Sequence, residues 1–126
     1  MVIRVLVADD SPSFLAAARD VVAATEGFEL AAAAENGEEA AELARTQRFD
    51  LALIDVNMPG IGGREAAERI AAESPETAVV LMTATPDPAT PPEAIDKRRL
   101  SPATLAEIWD GFATPRPSRV ARGGGR

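Results

Sequence analysis

Apolar runs alternate along the chain with stretches in which apolar residues recur at helical spacing. Three runs rich in Val, Ile and Leu predict buried strands, at residues 2–8, 49–56 and 79–82, and a run rich in Ala at residues 28–34 predicts a weaker one. The stretches of helical spacing predict amphipathic helices, at residues 12–24, 38–46, 63–73 and 101–112. Strands that alternate with helices are typical of an α/β domain with a parallel sheet.

Capping and turn residues set the ends of these elements. Ser11 and Pro12 supply an N-cap and a proline at the first helical position, and Gly27 ends the helix that they begin. The second apolar run contains four alanines, which suit a helix equally well. Gly27 before this run, and Asn36 with Gly37 after it, favour a strand.

Composition limits the chemistry available to the chain. Its 126 residues, 46% hydrophobic and 26% charged, match one globular domain. The sequence contains no Cys and no His, which excludes disulfides, thiol nucleophiles and the commonest general base and zinc ligand. The apolar stretch near the N-terminus is too short for a signal peptide or a membrane span, so we expect a cytoplasmic protein without membrane insertion.

Charge divides the chain into an acidic body and a basic end. The whole chain carries −7, and residues 114–126 hold four Arg and no acid, which leaves −11 for residues 1–113. The acidic body argues against direct binding of nucleic acid. We expect residues 1–113 to form the folded domain, and residues 114–126, rich in Pro, Gly and Arg, to be disordered. Binding of this segment to an acidic partner is the alternative.

Acidic and hydroxyl side chains stand where the predicted strands end. Asp9 and Asp10 follow the first strand, Asp55 ends the third within "LALIDVNMPG", and Thr83 follows the fourth. In an open parallel sheet the carboxyl ends of the strands form the crevice where ligands bind. Converging carboxylates repel one another, and a divalent cation with oxygen ligands relieves that repulsion. Each acid alone also fits a solvated loop, but the three together favour a site for Mg²⁺.

Four motifs together resemble the receiver domain of two-component response regulators: "VLVADDSPSF", "LALIDVNMPGIGGREA", "VVLMTA" and "IDKRRLSPATL". The resemblance covers about residues 3–112. It implies a flavodoxin-like, doubly wound sheet of five parallel strands. It also implies a phosphoacceptor that is fed by a histidine kinase or phosphotransfer protein and that turns over no external substrate, so we expect no enzyme activity.

The resemblance assigns roles to the acids at the strand ends. Asp55 corresponds to the phosphorylated aspartate, and Asp10 to a direct ligand of Mg²⁺. Asp9 would support the ion from the outer sphere, and the main-chain carbonyl of Asn57 would be a further ligand. An ionised carboxylate needs no general base to act as a nucleophile, which suits a chain without His and Cys.

Two further positions match the family pattern. Thr83 corresponds to the hydroxyl that moves onto the phosphoryl group, and Lys97 to the amine that pairs with it. Arg98 stands where the family usually has proline, and Ala94 stands in place of an aromatic residue that rotates inward on activation. The alternative for Lys97 is therefore a solvated surface lysine.

The connection from the fourth to the fifth strand departs from the family. Only 13 residues separate Thr83 from Lys97, and their four prolines disfavour a helix. We predict that the fourth helix of the family is absent or one turn long, and that "EAIDK" is a weak fifth strand. The face left uncovered beside Trp109 and Phe112 would then dock a partner or a second copy of the chain, with docking that depends weakly on phosphorylation.

The sequence leaves three functions open. The first is a phosphorylatable switch or phosphate shuttle that signals through protein contacts. The second is a phosphorylation-independent pseudo-receiver that acts as an interaction module. The third, an acid-pocket phosphohydrolase, is disfavoured because "DVN" lacks a second acid two positions after Asp55.

Overall fold

Strands and helices alternate along residues 2–113, the part of the chain that the computed structural model describes. Five parallel strands form one sheet in the order β2-β1-β3-β4-β5. They are β1 (Ile3–Ala8), β2 (Phe28–Ala34), β3 (Leu51–Asp55), β4 (Ala78–Thr83) and β5 (Ile95–Asp96). The helices are α1 (Pro12–Ala23), α2 (Gly37–Thr46), α3 (Gly62–Glu73) and α4 (Pro102–Ala113), with a 3-10 turn at Lys97–Arg99. The predicted doubly wound, flavodoxin-like fold is confirmed.

Alternate side chains of the strands build a core on each face of the sheet. Leu51 and Leu53 of β3 pack with residues of α1 and α4, while Ala52 and Ile54 pack with residues of α2 and α3. All four are fully buried. A strand that is buried on both faces reads as a continuous apolar run, and this is why β3 is recognisable in the sequence.

The connection between β4 and β5 contains no helix, as predicted. Backbone bonds from Thr90 N–H to Asp87 O and from Ala94 N–H to Pro91 O close two short turns instead. β5 is only two residues long and pairs with the last two residues of β4. The chain therefore has to reach only the carboxyl end of β4, and a connection without a helix is long enough for that.

Two predictions concern the end of the described chain. Trp109 and Phe112 pack against the core on the α1 side and are half-buried, and docking of a partner or a second copy on the face beside them stays a prediction. The predicted disordered segment, residues 114–126, lies outside the described residues. Among residues 2–113, no helix is long and apolar enough to cross a membrane.

Candidate functional site

The carboxyl ends of β1 and β3 bring three acids together. One carboxylate oxygen from each of Asp9, Asp10 and Asp55 lies within 4.8 Å of the others. Asp9 is completely buried and Asp55 is 4% exposed, whereas Asp10 is exposed. The predicted convergence of the acids at one edge of the sheet is thus present, with two of them removed from water.

Lys97 reaches into this acid cluster from the turn after β5. Its Nζ donates to Asp9 Oδ2 at 2.6 Å and to Asp55 Oδ2 at 3.1 Å. The ammonium also lies 4.7 Å from the centre of the Phe14 ring of α1. Only 14% of the lysine side chain is exposed, so the alternative of a solvated surface lysine does not hold.

Burial and hydrogen bonds shift the pKa values of Asp55 and Lys97. Removal from water raises the pKa of Asp55 above its ordinary value, although hydrogen bonds from the Asn57 amide and from Lys97 oppose the change. Burial by itself would lower the pKa of Lys97, but the hydrogen bonds to Asp9 and Asp55 outweigh burial and raise that pKa. At neutral pH the lysine is therefore a fixed cation between the two carboxylates.

Backbone amides orient the two buried acids. Ser11 N–H donates to Asp9 Oδ1 at 2.8 Å, and Asn57 N–H donates to Asp55 Oδ1 at 3.1 Å. Each acid thus has one oxygen held by the loop after its strand and the other held by Lys97.

Thr83 at the end of β4 lies on the same edge. Its Oγ accepts a bond from Thr85 N–H at 3.1 Å and a longer one from Asn57 Nδ2 at 3.4 Å. The Asn57 side chain therefore links the loop that follows Asp55 to the predicted switch hydroxyl. Sequence reasoning used only the main-chain carbonyl of Asn57, because nothing in the sequence indicates where its side chain points.

Two other residues shape the site, although no pattern in the sequence indicated their roles. Phe14 stands three residues after the N-cap of α1, where an aromatic residue looks like an ordinary core contact, yet its ring lies against Lys97. Gly63 packs so closely on β3 that an added Cβ would collide with the carbonyl oxygen of Asp55. A glycine in "GIGG" indicates a turn, but not this close packing against a strand end.

The donors at this edge fit a hard divalent cation. Asp9, Asp10 and Asp55 offer carboxylate oxygens within one ion's reach, and oxygen ligands with retained water are what Mg²⁺ prefers. The exposed position of Asp10 leaves an open side where such water can bind. The residues present therefore fit the ion that the family typically binds.

Comparison with known proteins finds one matching family and relatives among response regulators. The family model "Response regulator receiver domain" matches residues 5–99. Over 112 residues the chain is 47% identical to a protein-glutamate methylesterase/protein-glutamine glutaminase 2 of Anaeromyxobacter dehalogenans, covering 89% of this chain and 31% of that protein. It is 38% identical over 81 residues to the response regulator GacA of Pseudomonas aeruginosa, covering 64% of this chain and 38% of that protein. The chain thus spans about a third of the length of these relatives.

Solved structures match the fold closely. The response regulator domain of Thermotoga maritima CheB superimposes with a TM-score of 0.76 at 24% identity, covering 92% of this chain and all of that chain. The receiver domain of the putative response regulator NarL from Mycobacterium tuberculosis gives 0.78 at 24% identity, covering 91% and 98%. At this identity the likeness concerns the fold alone. Because the family model spans three quarters of the sequence, the chain belongs to the response regulator receiver domain family.

Proposed function

We propose that this receiver domain, residues 1–113, accepts a phosphoryl group on Asp55 from a histidine kinase or phosphotransfer protein. It then signals through protein contacts or passes the phosphoryl group on. The observation that carries the proposal is the placement of the Lys97 ammonium between Asp9 and Asp55. A nucleophilic carboxylate at a strand end needs such a cation, because the incoming phosphoryl group is itself an anion. The cytoplasm, where such donors act, is the compartment that we propose.

Asp55 is the nucleophile in this proposal. One carboxylate oxygen forms a bond to phosphorus while the P–N bond of the donor phosphohistidine breaks, and the electron pair of that bond goes to the imidazole nitrogen. The hydrogen bond from Asn57 N–H fixes the rotation of the carboxylate. Most of the catalysis is then positioning and charge stabilisation, as in other phosphoryl transfers.

Lys97 and Thr83 act on the product. The ammonium remains beside Asp9 and pairs with a phosphoryl oxygen in place of the Asp55 oxygen that it contacts now. Thr83 can donate its hydroxyl hydrogen to the phosphoryl group. Its long bond from the Asn57 amide, at 3.4 Å, is weak enough to be given up.

A magnesium ion would be held by the carboxylates of Asp10 and Asp55 and by the Asn57 carbonyl, with Asp9 in support. When bound, the ion neutralises charge on the phosphoryl oxygens. Asp10 is the exposed acid of the three. Its removal should therefore weaken binding of the ion most, without disturbing the buried contacts of Lys97 with Asp9 and Asp55.

Transfer of label from acetyl phosphate, with Mg²⁺ present, tests the proposal. We expect stable label on the wild-type chain and none on Asp55→Asn, which keeps the shape of the side chain but lacks the nucleophilic oxygen. Asp50→Asn is the matched control, since Asp50 stands immediately before the same strand and its carboxylate accepts the Arg4 N–H. Equal labelling of the wild type and Asp55→Asn would overturn the assignment of the nucleophile.

The experiment also separates the other functions. A folded wild-type chain that takes no label would be a pseudo-receiver, an interaction module that keeps the acid cluster without using it. Repeated release of phosphate would indicate a phosphohydrolase. The missing helix between β4 and β5 is the observation that keeps the interaction module as the second candidate, because it alters a surface rather than the acid cluster.

A further inference from the structure

The lower half of β4 has an open edge. β5 pairs only with Met82 and Thr83, so within residues 2–113 no strand pairs with residues 78–81 on that side. The short connection before β5 is the cause, because it brings the chain back beside only the last two residues of β4. An unpaired strand edge presents amide and carbonyl groups that favour pairing with another extended segment.

The direction of the backbone groups can be read from the bonds on the other side of β4. Ala78 N–H donates to Asp50 O, on the β3 side. Alternate residues of a strand direct their backbone groups to opposite neighbours. The N–H groups of Val79 and Leu81 therefore face the open edge, while that of Val80 faces β3.

A groove of about 580 Å³ runs along this edge. Val79, Leu81 and Ile95 line it from the sheet, Ala71 from α3 and Phe112 from α4. Most of these side chains are apolar, so the groove also offers contact to aliphatic groups of whatever pairs with the strand.

The rim of the groove is acidic. Glu68 of α3, Glu93 of the connection and Glu107 of α4 line it, against the single cation Arg64. All four are exposed. A segment that pairs with the edge of β4 is therefore favoured when it is cationic.

We propose that residues 114–126 of the same chain occupy this groove as an extended segment alongside β4. Gly111 and Phe112 of α4 line the groove, and residues 114–126 follow α4 directly in the sequence. Its four arginines and lack of acids complement the rim. An extended segment fits an open strand edge better than a helix does, because a helix has already paired its backbone groups.

The sequence "RVAR" of this segment matches what the groove offers. Val120 and Ala121 supply apolar side chains, and Arg119 and Arg122 flank them. None of the four is proline, so each has an N–H for pairing with a strand. Residues 114–118 can span up to about 17 Å when extended, and the covalent connection makes the effective concentration of the segment high.

Amide exchange in the full-length chain tests the proposal at single residues. The amides of Val79 and Leu81 report on the edge, and that of Val80 is the internal reference. In the double variant Arg119→Glu/Arg122→Glu we expect Val79 and Leu81 to exchange roughly tenfold faster, the effect of losing about two exposed ion pairs. Arg126→Glu, which reverses one charge beyond the "RVAR" sequence, is the control and should speed exchange much less.

A second variant separates strand pairing from charge attraction alone. Val120→Pro keeps every arginine but removes one amide and disfavours pairing, so it should also raise exchange at Val79 and Leu81. Identical exchange in the wild type and both variants would overturn the proposal. Amide protection of Val79 and Leu81 that falls when the protein is diluted would also overturn it, because a second copy of the chain would then supply the segment. Neither outcome depends on whether Asp55 is phosphorylated.

Discussion

Lys97 joins the acid cluster because the residues around it are fixed locally. Asp96, the last residue of β5, accepts bonds from Arg98 N–H, Nε and Nη2 between 2.9 and 3.0 Å. These bonds cap the 3-10 turn that Lys97 begins. Arg98, which stands where the resemblance places a proline, thus helps to fix the chain beside Lys97 through its bonds to Asp96.

The Asp96–Arg98 pair gives a prediction about one titration. The hydrogen bonds from Arg98 lower the pKa of Asp96 to about 2. Because the pKa is lower in the folded state, the stability that the pair contributes is present above the ordinary value of 3.8 and is lost as pH falls through about 2. In Arg98→Ala we expect the pKa of Asp96 to move up toward 3.8, as measured by carboxyl carbon shifts in NMR. Arg99→Ala, which removes a weaker influence, should move it much less.

Asp55 gives the opposite pH dependence. Burial raises its pKa in the folded state, so the stability linked to this group is full below 3.8 and is lost as pH rises through the raised value. Asp55→Asn has no such loss. In the presence of a chelator, we expect the variant to gain stability over the wild type as pH rises through that window, and to keep the gain at neutral pH, as measured by urea midpoints. The exposed substitution Asp20→Asn is the control, and a less stable Asp55→Asn at neutral pH would contradict the prediction.

At the scale of elements, the loop from β3 to α3 holds Asp55 in place through close packing. Gly60 and Gly62 adopt φ of +80° and +81°, a region that other residues enter at a cost. Gly63 instead lies against the backbone of Asp55, with no room for a Cβ. Gly62 and Gly63 are thus needed for different reasons, Gly62 for its backbone conformation and Gly63 for its close contact with β3.

This difference predicts different costs for two neighbouring substitutions. Gly63→Ala must push α3 away from the end of β3, and we expect it to lower the free energy of unfolding by about 3 kcal/mol. Gly62→Ala meets no neighbouring atom and should cost only the backbone strain, about 1 kcal/mol. Chemical denaturation of both variants measures the difference. Equal costs would show that the contact between α3 and Asp55 is looser than described.

The connection between β4 and β5 should exchange its amides quickly. The amides of Thr85 and Ala89 bond to nearby side chains, at 3.1 and 2.8 Å, and residues 85–89 are exposed. We expect exchange orders of magnitude faster there than at the buried positions Ala66 and Ile70 of α3. Helix-like protection across residues 84–90 would reveal a helix that the four prolines were expected to prevent.

At the scale of the whole molecule, we expect the acid cluster to make stability depend on divalent cations. The body carries a large negative charge, and three of its carboxylates converge at one edge of the sheet. We expect Mg²⁺ to raise the free energy of unfolding by about 1.4 kcal/mol when its concentration is ten times Kd. Thermal unfolding with and without chelator measures this gain. Asp10→Ala should abolish it, and a wild type that is indifferent to Mg²⁺ would mean that the three acids do not act together.

The sequence by itself determined the layered architecture and the residues at the strand ends. Apolar runs such as that of β3 are buried on both faces, so their pattern is visible without neighbours. The prolines between Thr83 and Lys97 likewise exclude a helix by local geometry, because they lack amides and restrict the residues before them. Both kinds of information reside in short stretches of chain.

Only the tertiary structure decided which groups meet across the sheet. Three contacts join residues that are distant along the chain: that of Phe14 with Lys97, the bond from the Asn57 side chain to Thr83, and the pairing of β5 with only the last two residues of β4. A side chain's partner depends on its rotamer and on the packing of neighbouring elements, neither of which is written in local residue patterns. For the same physical reason, the degree of burial of Asp55 could not be read from the turn that follows it.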